Sequence, residues 1–213
     1  MTVDPRSLGV YVVTSGTLVD GRGHVDVARA AIRGGATAIQ LRAPELRDSE
    51  LEALATALAP ECREAGVLFI VNDRPGVALA SGAAGVHLGQ GDDPRGARER
   101  IGPDLVLGIS VADPAQAREA ELAGADYLGV TVWRTATKSG AEPKGLEGLR
   151  AVVAATRLPV VGIGGIHAGN AAEVLGAGAA GVAVISSVAA APDPEAATRE
   201  LRALVDASRE ERG

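Results

Sequence analysis

The stretch PVVGIGGIHAGNAAEVLGAGAAGVAVIS, residues 159–186, holds two apolar, β-rich runs, PVVGIG and GVAVIS, on either side of a helix-like segment. Neither run alternates strictly between apolar and polar residues. Continuous apolar strands are the mark of a parallel sheet whose two faces are both covered. Small residues punctuate the unit, GG after the first run and AGA before the second, leaving room for a turn into and out of the helix.

The same phrase recurs upstream. GVYVVT, AIQLR, LFIVND, GVHLG, LVLGIS and YLGVTV precede these two runs, so the chain carries eight strand-like runs, most of them separated by helix-like segments. Eight strand–helix units predict an α/β fold, a single (β/α)8 TIM barrel, which typically takes about 250 residues and roughly 200 at the short end. The chain has 213 residues, and no Pro/Ser-rich linker divides it, so one domain spans 1–213. The main rival, a doubly wound open sheet, lacks its dinucleotide glycine fingerprint after the first strand. Helix starts are legible too. Asp93-Pro94, Asp113-Pro114 and Asp193-Pro194 each place an acidic N-cap before a proline at the first helical position. Ser49 with Glu52 reads as a capping box ahead of Leu51, Leu54 and Leu58.

Composition narrows the function. With 46% hydrophobic and 23% charged residues the chain is globular rather than disordered. A net charge of −6 without a dense Lys/Arg run excludes a nucleic-acid footprint. No segment reaches membrane-spanning length and the N-terminus lacks a secretory pattern, so the expectation is a cytoplasmic protein with no membrane partner. Cys62, the one cysteine, lies among apolar helical positions and reads as a buried core thiol.

In a barrel of this kind chemistry gathers where the strands end. The second strand ends in QLR, with Gln40 and Arg42 two apart and therefore on one face. The third ends in Asn72-Asp73, the fourth is followed by Gln90-Gly91-Asp92, and the fifth ends in Ser110. The sixth runs out into Thr135, Thr137 and Lys138, the seventh into Gly162-Ile163-Gly164-Gly165, and the eighth into Ile185-Ser186-Ser187. Singly, each has a plain reading as a turn or cap; Arg42 is the exception, because a guanidinium ending an apolar strand needs an anion or solvent. Together they suggest more. Two carboxylates at adjacent strand ends suit Mg²⁺ held partly by substrate phosphates, and Arg42 and Lys138 suit anionic oxygens. Glycines after the seventh strand with donors after the eighth match the common barrel phosphate site.

QLR, VNDRPGVALASGAAGVHLGQGD, GIS, YLGV…VW.T.TK and VVGIGGI…NAAEVLGAGAAGVAVIS together resemble the thiamine-phosphate synthase (thiamine phosphate pyrophosphorylase) family, in order and over roughly the whole chain. The resemblance implies a transferase of thiamine biosynthesis that joins hydroxymethylpyrimidine diphosphate to hydroxyethylthiazole phosphate, giving thiamine phosphate and diphosphate. It implies that Asp73 and Asp92 bind Mg²⁺ and that Gln40, Arg42, Asn72, Ser110 and Lys138 hold the pyrimidine diphosphate. Thr135, Thr137, Gly165, Ile185 and Ser186 would then hold the thiazole phosphate. Arg42, Ser110 and Lys138 stand nearest the chemistry, and both partners are small molecules; the sequence leaves a homo-oligomer open. No histidine has a role in this reading. His87 is expected to face the core, His24 to lie in a loop or helix start, and His167 to serve the loop after the seventh strand.

The chain departs from the family pattern in two places. The family writes QLREK where this chain has QLRAP, so Pro44 replaces a lysine. In the loop after strand six Arg134 stands where the family has a proline, and it is a candidate replacement for that lysine. Two related readings compete. A thiazole tautomerase would place a histidine after the strand-five serine, where this chain has Ala112. A non-enzymatic thiazole-phosphate-binding relative would be favoured by the lost lysine.

Overall fold

Each of the eight apolar runs forms a strand in the structure, a computed structural model that describes residues 3–15, 21–134 and 142–211. The strands are β1 (Val10–Val13), β2 (Ala38–Leu41), β3 (Leu68–Asn72), β4 (Gly85–Leu88), β5 (Val106–Val111), β6 (Tyr127–Thr131), β7 (Val160–Ile163) and β8 (Gly181–Val184). All pair in parallel and in sequence order, and β8 closes on β1 with Val10 opposite Val182 and Tyr11 opposite Ala183. The chain is a single (β/α)8 barrel, as the repeat predicts.

The runs are continuous in sequence because both faces of each strand are buried. Val10 and Val12 pack outward with the helices, while Tyr11 and Val13 point into the barrel with Ile70, Tyr127, Val161 and Ala183. Alternation is present, but it separates two apolar environments instead of core from water. The outer layer consists of α1 (His24–Arg33), α2 (Asp48–Glu64), α3 (Pro75–Ser81), α4 (Pro94–Ile101), α5 (Pro114–Leu122), α6 (Gly145–Ala155), α7 (Ala171–Gly176), α8 (Ser186–Ala189) and α9 (Pro194–Glu210). Three of these begin as the sequence predicts: the carboxylates of Asp93, Asp113 and Asp193 accept from backbone N–H groups of the first turn.

The start of α2 differs. It opens at Asp48 with Arg47 as N-cap, and the Glu50 carboxylate accepts from the Arg47 N–H at 3.0 Å. Ser49 therefore lies inside the first turn and does not cap it with Glu52. Glu50 accepts from a backbone donor two residues before the one a Ser49–Glu52 box would use, so the helix gains its first turn sooner. Cys62 is buried in α2 as expected, and burial pushes its thiol pKa up to about 12.

Arg98 braces the amino-terminal end of the barrel. Its guanidinium donates to the Asp126 carboxylate at 2.6 Å and to the carbonyls of Gly102, Leu105 and Gly124, while Asp126 also accepts from the Leu107 N–H at 2.8 Å. The polar residues named from the sequence collect at the opposite end.

Candidate active site at the carboxyl ends of the strands

A pocket opens at the carboxyl end of the barrel, lined by Gln40, Arg42, Asn72, Asp73, Ser110 and Ile185 among others. Six residues named from the sequence thus share one cavity. Arg42 enters from the turn after β2, where its N–H donates to the Thr14 hydroxyl at 3.1 Å. Thr14 is also bonded to His24 Nδ1 at 2.8 Å, and His24 Nε2 lies 3.0 Å from Glu45 Oε1. His24 is the first residue of α1 and is buried there. Burial works to raise the Glu45 carboxyl, but its own backbone N–H, His24 and the field of Arg42 outweigh it and hold the group below the usual carboxylate range.

Asp73 and Asp92 meet over Gly89. Asp73 is the only non-glycine with positive φ among the described residues, at 60°, and its N–H donates to the His87 carbonyl at 2.8 Å. That left-handed step, which aspartate tolerates better than most residues, turns its side chain off the end of β3 toward β4. Asp92 Oδ2 accepts from the Gly89 N–H at 2.8 Å. A Cβ placed on Gly89 would stand 3.5 Å from Asp92 Oδ2 and 3.9 Å from Asp73 Oδ1, so both carboxylates border the same space. Among the described residues no cluster of three or more His, Cys, Asp or Glu converges on a metal position. Two hard carboxylates fit a cation that takes its remaining ligands from water and substrate oxygens, as Mg²⁺ does.

The seventh and eighth strands end side by side, Ile163 opposite Ala183. Gly164 and Gly165 both have positive φ, and a Cβ on Gly165 would meet the Arg134 carbonyl and Trp133 Cβ, each at 3.1 Å. The turn after β7 therefore packs against the start of the segment after β6 closely enough to require glycine. Asn170 Nδ2 donates to the Gly165 carbonyl at 3.0 Å and fixes that turn. Ser186 is exposed at the first position of α8, and His167 is exposed in the loop after β7. Thr135, Thr137 and Lys138 lie outside the described residues.

Position 44 shows a feature that the sequence did not suggest. The Arg74 guanidinium comes within 3.5 Å of the Pro44 carbonyl and pairs with Asp48 at 3.1 Å. The Arg134 side chain, exposed, makes no hydrogen bond or ion pair among the described residues.

The sequence reading also passed over three pocket-lining side chains, Tyr11, His87 and Tyr127. His87 lies inside the barrel as expected, but it borders the cavity. The available signal was that the chain's two tyrosines fall on strands, since a buried phenol demands a polar partner. Burial raises the pKa of both Tyr11 and Tyr127 above the ordinary phenol range, so both remain protonated. Room for Tyr127 comes from Gly108, because a Cβ there would occupy the tyrosine ring.

A closed parallel barrel with its polar side chains gathered at the carboxyl ends of the strands defines a barrel enzyme for small molecules. The particular family follows from the comparisons. The family model described as thiamine monophosphate synthase matches residues 10–188, and the chain belongs to that family. It is 50% identical over 203 residues to the thiamine-phosphate synthase of Moorella thermoacetica, covering 94% of this chain and 97% of that protein. It is likewise 50% identical over 206 residues to the thiamine-phosphate synthase of Roseiflexus sp. strain RS-1, covering 95% and 87%. Among solved structures, thiamine phosphate pyrophosphorylase from Pyrococcus furiosus superposes with a TM-score of 0.88 at 43% identity, over 96% of this chain and 98% of that one. The 3-hexulose-6-phosphate synthase of Salmonella typhimurium, at 17% identity, a TM-score of 0.76 and 94% and 100% coverage, shares the fold alone.

Proposed function

We propose that the chain is a cytoplasmic transferase that joins hydroxymethylpyrimidine diphosphate to hydroxyethylthiazole phosphate, releasing diphosphate and leaving thiamine phosphate. The observation that carries this reading is the convergence of Asp73 and Asp92 over Gly89 at the mouth of a pocket lined by Arg42, Asn72, Gln40 and Ser110. Among the described residues no helix is long and apolar enough to cross a membrane.

Asp73 and Asp92 would hold Mg²⁺, which supplies Lewis-acid stabilisation of the diphosphate oxygens when bound. The reaction needs the exocyclic methylene–oxygen bond of the pyrimidine to break, with its electron pair leaving on the diphosphate. Arg42 and Lys138 stabilise that leaving charge as cations. The electron-rich aminopyrimidine carries the positive charge left behind, while Gln40 and Ser110 hold its ring. The thiazole nitrogen then donates its lone pair to the methylene carbon, and the new C–N bond completes thiamine phosphate. Thr135, Thr137, the Gly165 backbone, Ile185 and Ser186 hold the thiazole phosphate in reach. No strong base is required by these steps.

The cation missing at Pro44 is supplied by Arg74, whose guanidinium is already held against the Pro44 carbonyl. Purified protein incubated with both substrates, with and without Mg²⁺, tests the whole reading by the appearance of thiamine phosphate. No product under either condition would refute it.

A further inference from the structure

Five polar side chains inside the barrel are linked end to end. Gln40 Nε2 donates to the Tyr11 hydroxyl at 2.8 Å, and the Tyr11 and Tyr127 hydroxyls are 2.8 Å apart. Tyr127 Oη lies 2.9 Å from His87 Nδ1, and His87 Nε2 lies 3.0 Å from Ser110 Oγ. These residues come from β1, β2, β4, β5 and β6, so only closure of the barrel brings them together.

The proton count gives this chain one direction. Each phenol has a single proton, and both tyrosines are buried. With the Gln40 amide donating to Tyr11, the Tyr11 proton has one acceptor left among the described residues, the Tyr127 oxygen. The Tyr127 proton must then go to His87 Nδ1. A neutral His87 therefore carries its proton on Nε2 and donates it to Ser110, whose own proton points elsewhere than His87. If the Gln40 amide were turned over, every bond would reverse: Tyr11 would donate to Gln40, His87 would carry its proton on Nδ1, and Ser110 would donate to His87. A mixed arrangement leaves a buried hydroxyl without an acceptor, which is unfavourable. The two ends are thus locked in opposite senses.

We propose that Tyr11, Tyr127 and His87 are positioning residues that hold the Gln40 carbonyl oxygen as a fixed acceptor and the Ser110 hydroxyl as a fixed donor toward the pocket. This rests on the reading of the pocket as the pyrimidine site. A 4-aminopyrimidine edge offers the complement, an amino N–H for Gln40 and a ring nitrogen for Ser110. The 4-oxo analogue, with an oxygen and a ring N–H in those places, presents the reverse pattern. A site with this polarity rejects it because one of its buried polar groups would be left unpaired.

The direction is measurable without substrate. In protein labelled with ¹⁵N-histidine at pH 8, His87 resonances, identified by their loss in His87→Gln, should show a single neutral tautomer protonated on Nε2. Tyr11→Phe cuts the link to Gln40, so His87 should shift to a mixture of tautomers. The same variant should lose at least tenfold of the wild-type preference for 4-amino-5-hydroxymethyl-2-methylpyrimidine over its 4-oxo analogue. Tyr127→Phe cuts the next link and should act alike. Wild-type His87 protonated on Nδ1, or present as an even mixture, overturns the proposal however the variants fold; so does an unchanged preference in a folded Tyr11→Phe protein. If the tautomer is as stated but no thiamine phosphate forms, the chain's polarity stands and the proposed function fails. Synthesis with a mixed His87 tautomer leaves the function and removes the chain.

Discussion

Asp73 Oδ1 and Asp92 Oδ2 border one point, the space a Cβ on Gly89 would enter at 3.9 Å and 3.5 Å from them. Those are ordinary van der Waals distances, so Gly89→Ala should fold with little loss of stability while placing a methyl group between the carboxylates. The Mg²⁺ concentration for half-maximal rate should rise on the order of tenfold, equivalent to ~1.4 kcal/mol. Asp92→Asn should weaken pyrimidine diphosphate binding in calorimetry and leave thiazole phosphate binding nearly intact. Equal loss of both ligands would contradict the assignment of metal to this pair.

Arg74→Ala should cost about tenfold to a hundredfold in kcat/KM for the pyrimidine substrate, since a charge-assisted contact contributes roughly 1.5–3 kcal/mol. Arg134→Ala should cost less than about threefold, well short of one such contact. Steady-state kinetics on the two variants decide between them. The opposite order would return the role to Arg134, the residue favoured by sequence position alone.

At the other end of the barrel, stability and activity should separate. Arg98→Ala leaves Asp126 poorly compensated and the carbonyls of Gly102, Leu105 and Gly124 without their donor. A charge-assisted hydrogen bond in this partly buried pair contributes roughly 1.5–3 kcal/mol. Denaturant unfolding should show a loss of that order, with kcat nearly unchanged below the melting transition. A large drop in kcat with stability intact would contradict a purely structural role.

Cys62 provides a pH test. Its thiol pKa is pushed up to about 12 by burial, above the value of about 8.5 for a free thiol. The folded state thus binds the proton more tightly than the unfolded state. The resulting stabilisation is fully present below about pH 8.5 and is lost as pH rises toward the folded value. Cys62 should resist thiol reagents at pH 8 in the native protein and react on unfolding. Rapid native labelling would refute its burial.

Much of this was written plainly in the sequence. The barrel could be read from PVVGIG, GVAVIS and their six counterparts because strands buried on both faces keep apolar residues at every position. Asp93, Asp113 and Asp193 mark helix starts through a local bond to the first turn, which a single segment discloses. Asp73 and Asp92 were visible because strand ends are where this fold places chemistry. Other features depend on distant elements meeting. Tyr11, Tyr127 and His87 look like core residues until the closed barrel joins them to Gln40 and Ser110. Arg98 and Asp126 lie on different strand–helix units, and Arg74 reaches Pro44 only because α3 starts beside the turn after β2. The start of α2 differs because Glu50 and Glu52 each stand three residues after a possible N-cap, Arg47 and Ser49, and spacing alone does not choose between them.

Direct synthesis tests the central claim. Purified protein should be mixed with hydroxymethylpyrimidine diphosphate and hydroxyethylthiazole phosphate, and thiamine phosphate followed by chromatography with Mg²⁺ and after chelation. The account predicts thiamine phosphate and diphosphate in equal amounts with Mg²⁺, and loss of nearly all product after chelation that added Mg²⁺ restores. Absence of product with Mg²⁺ would contradict the transferase reading, and an undiminished rate after chelation would contradict the role given to Asp73 and Asp92.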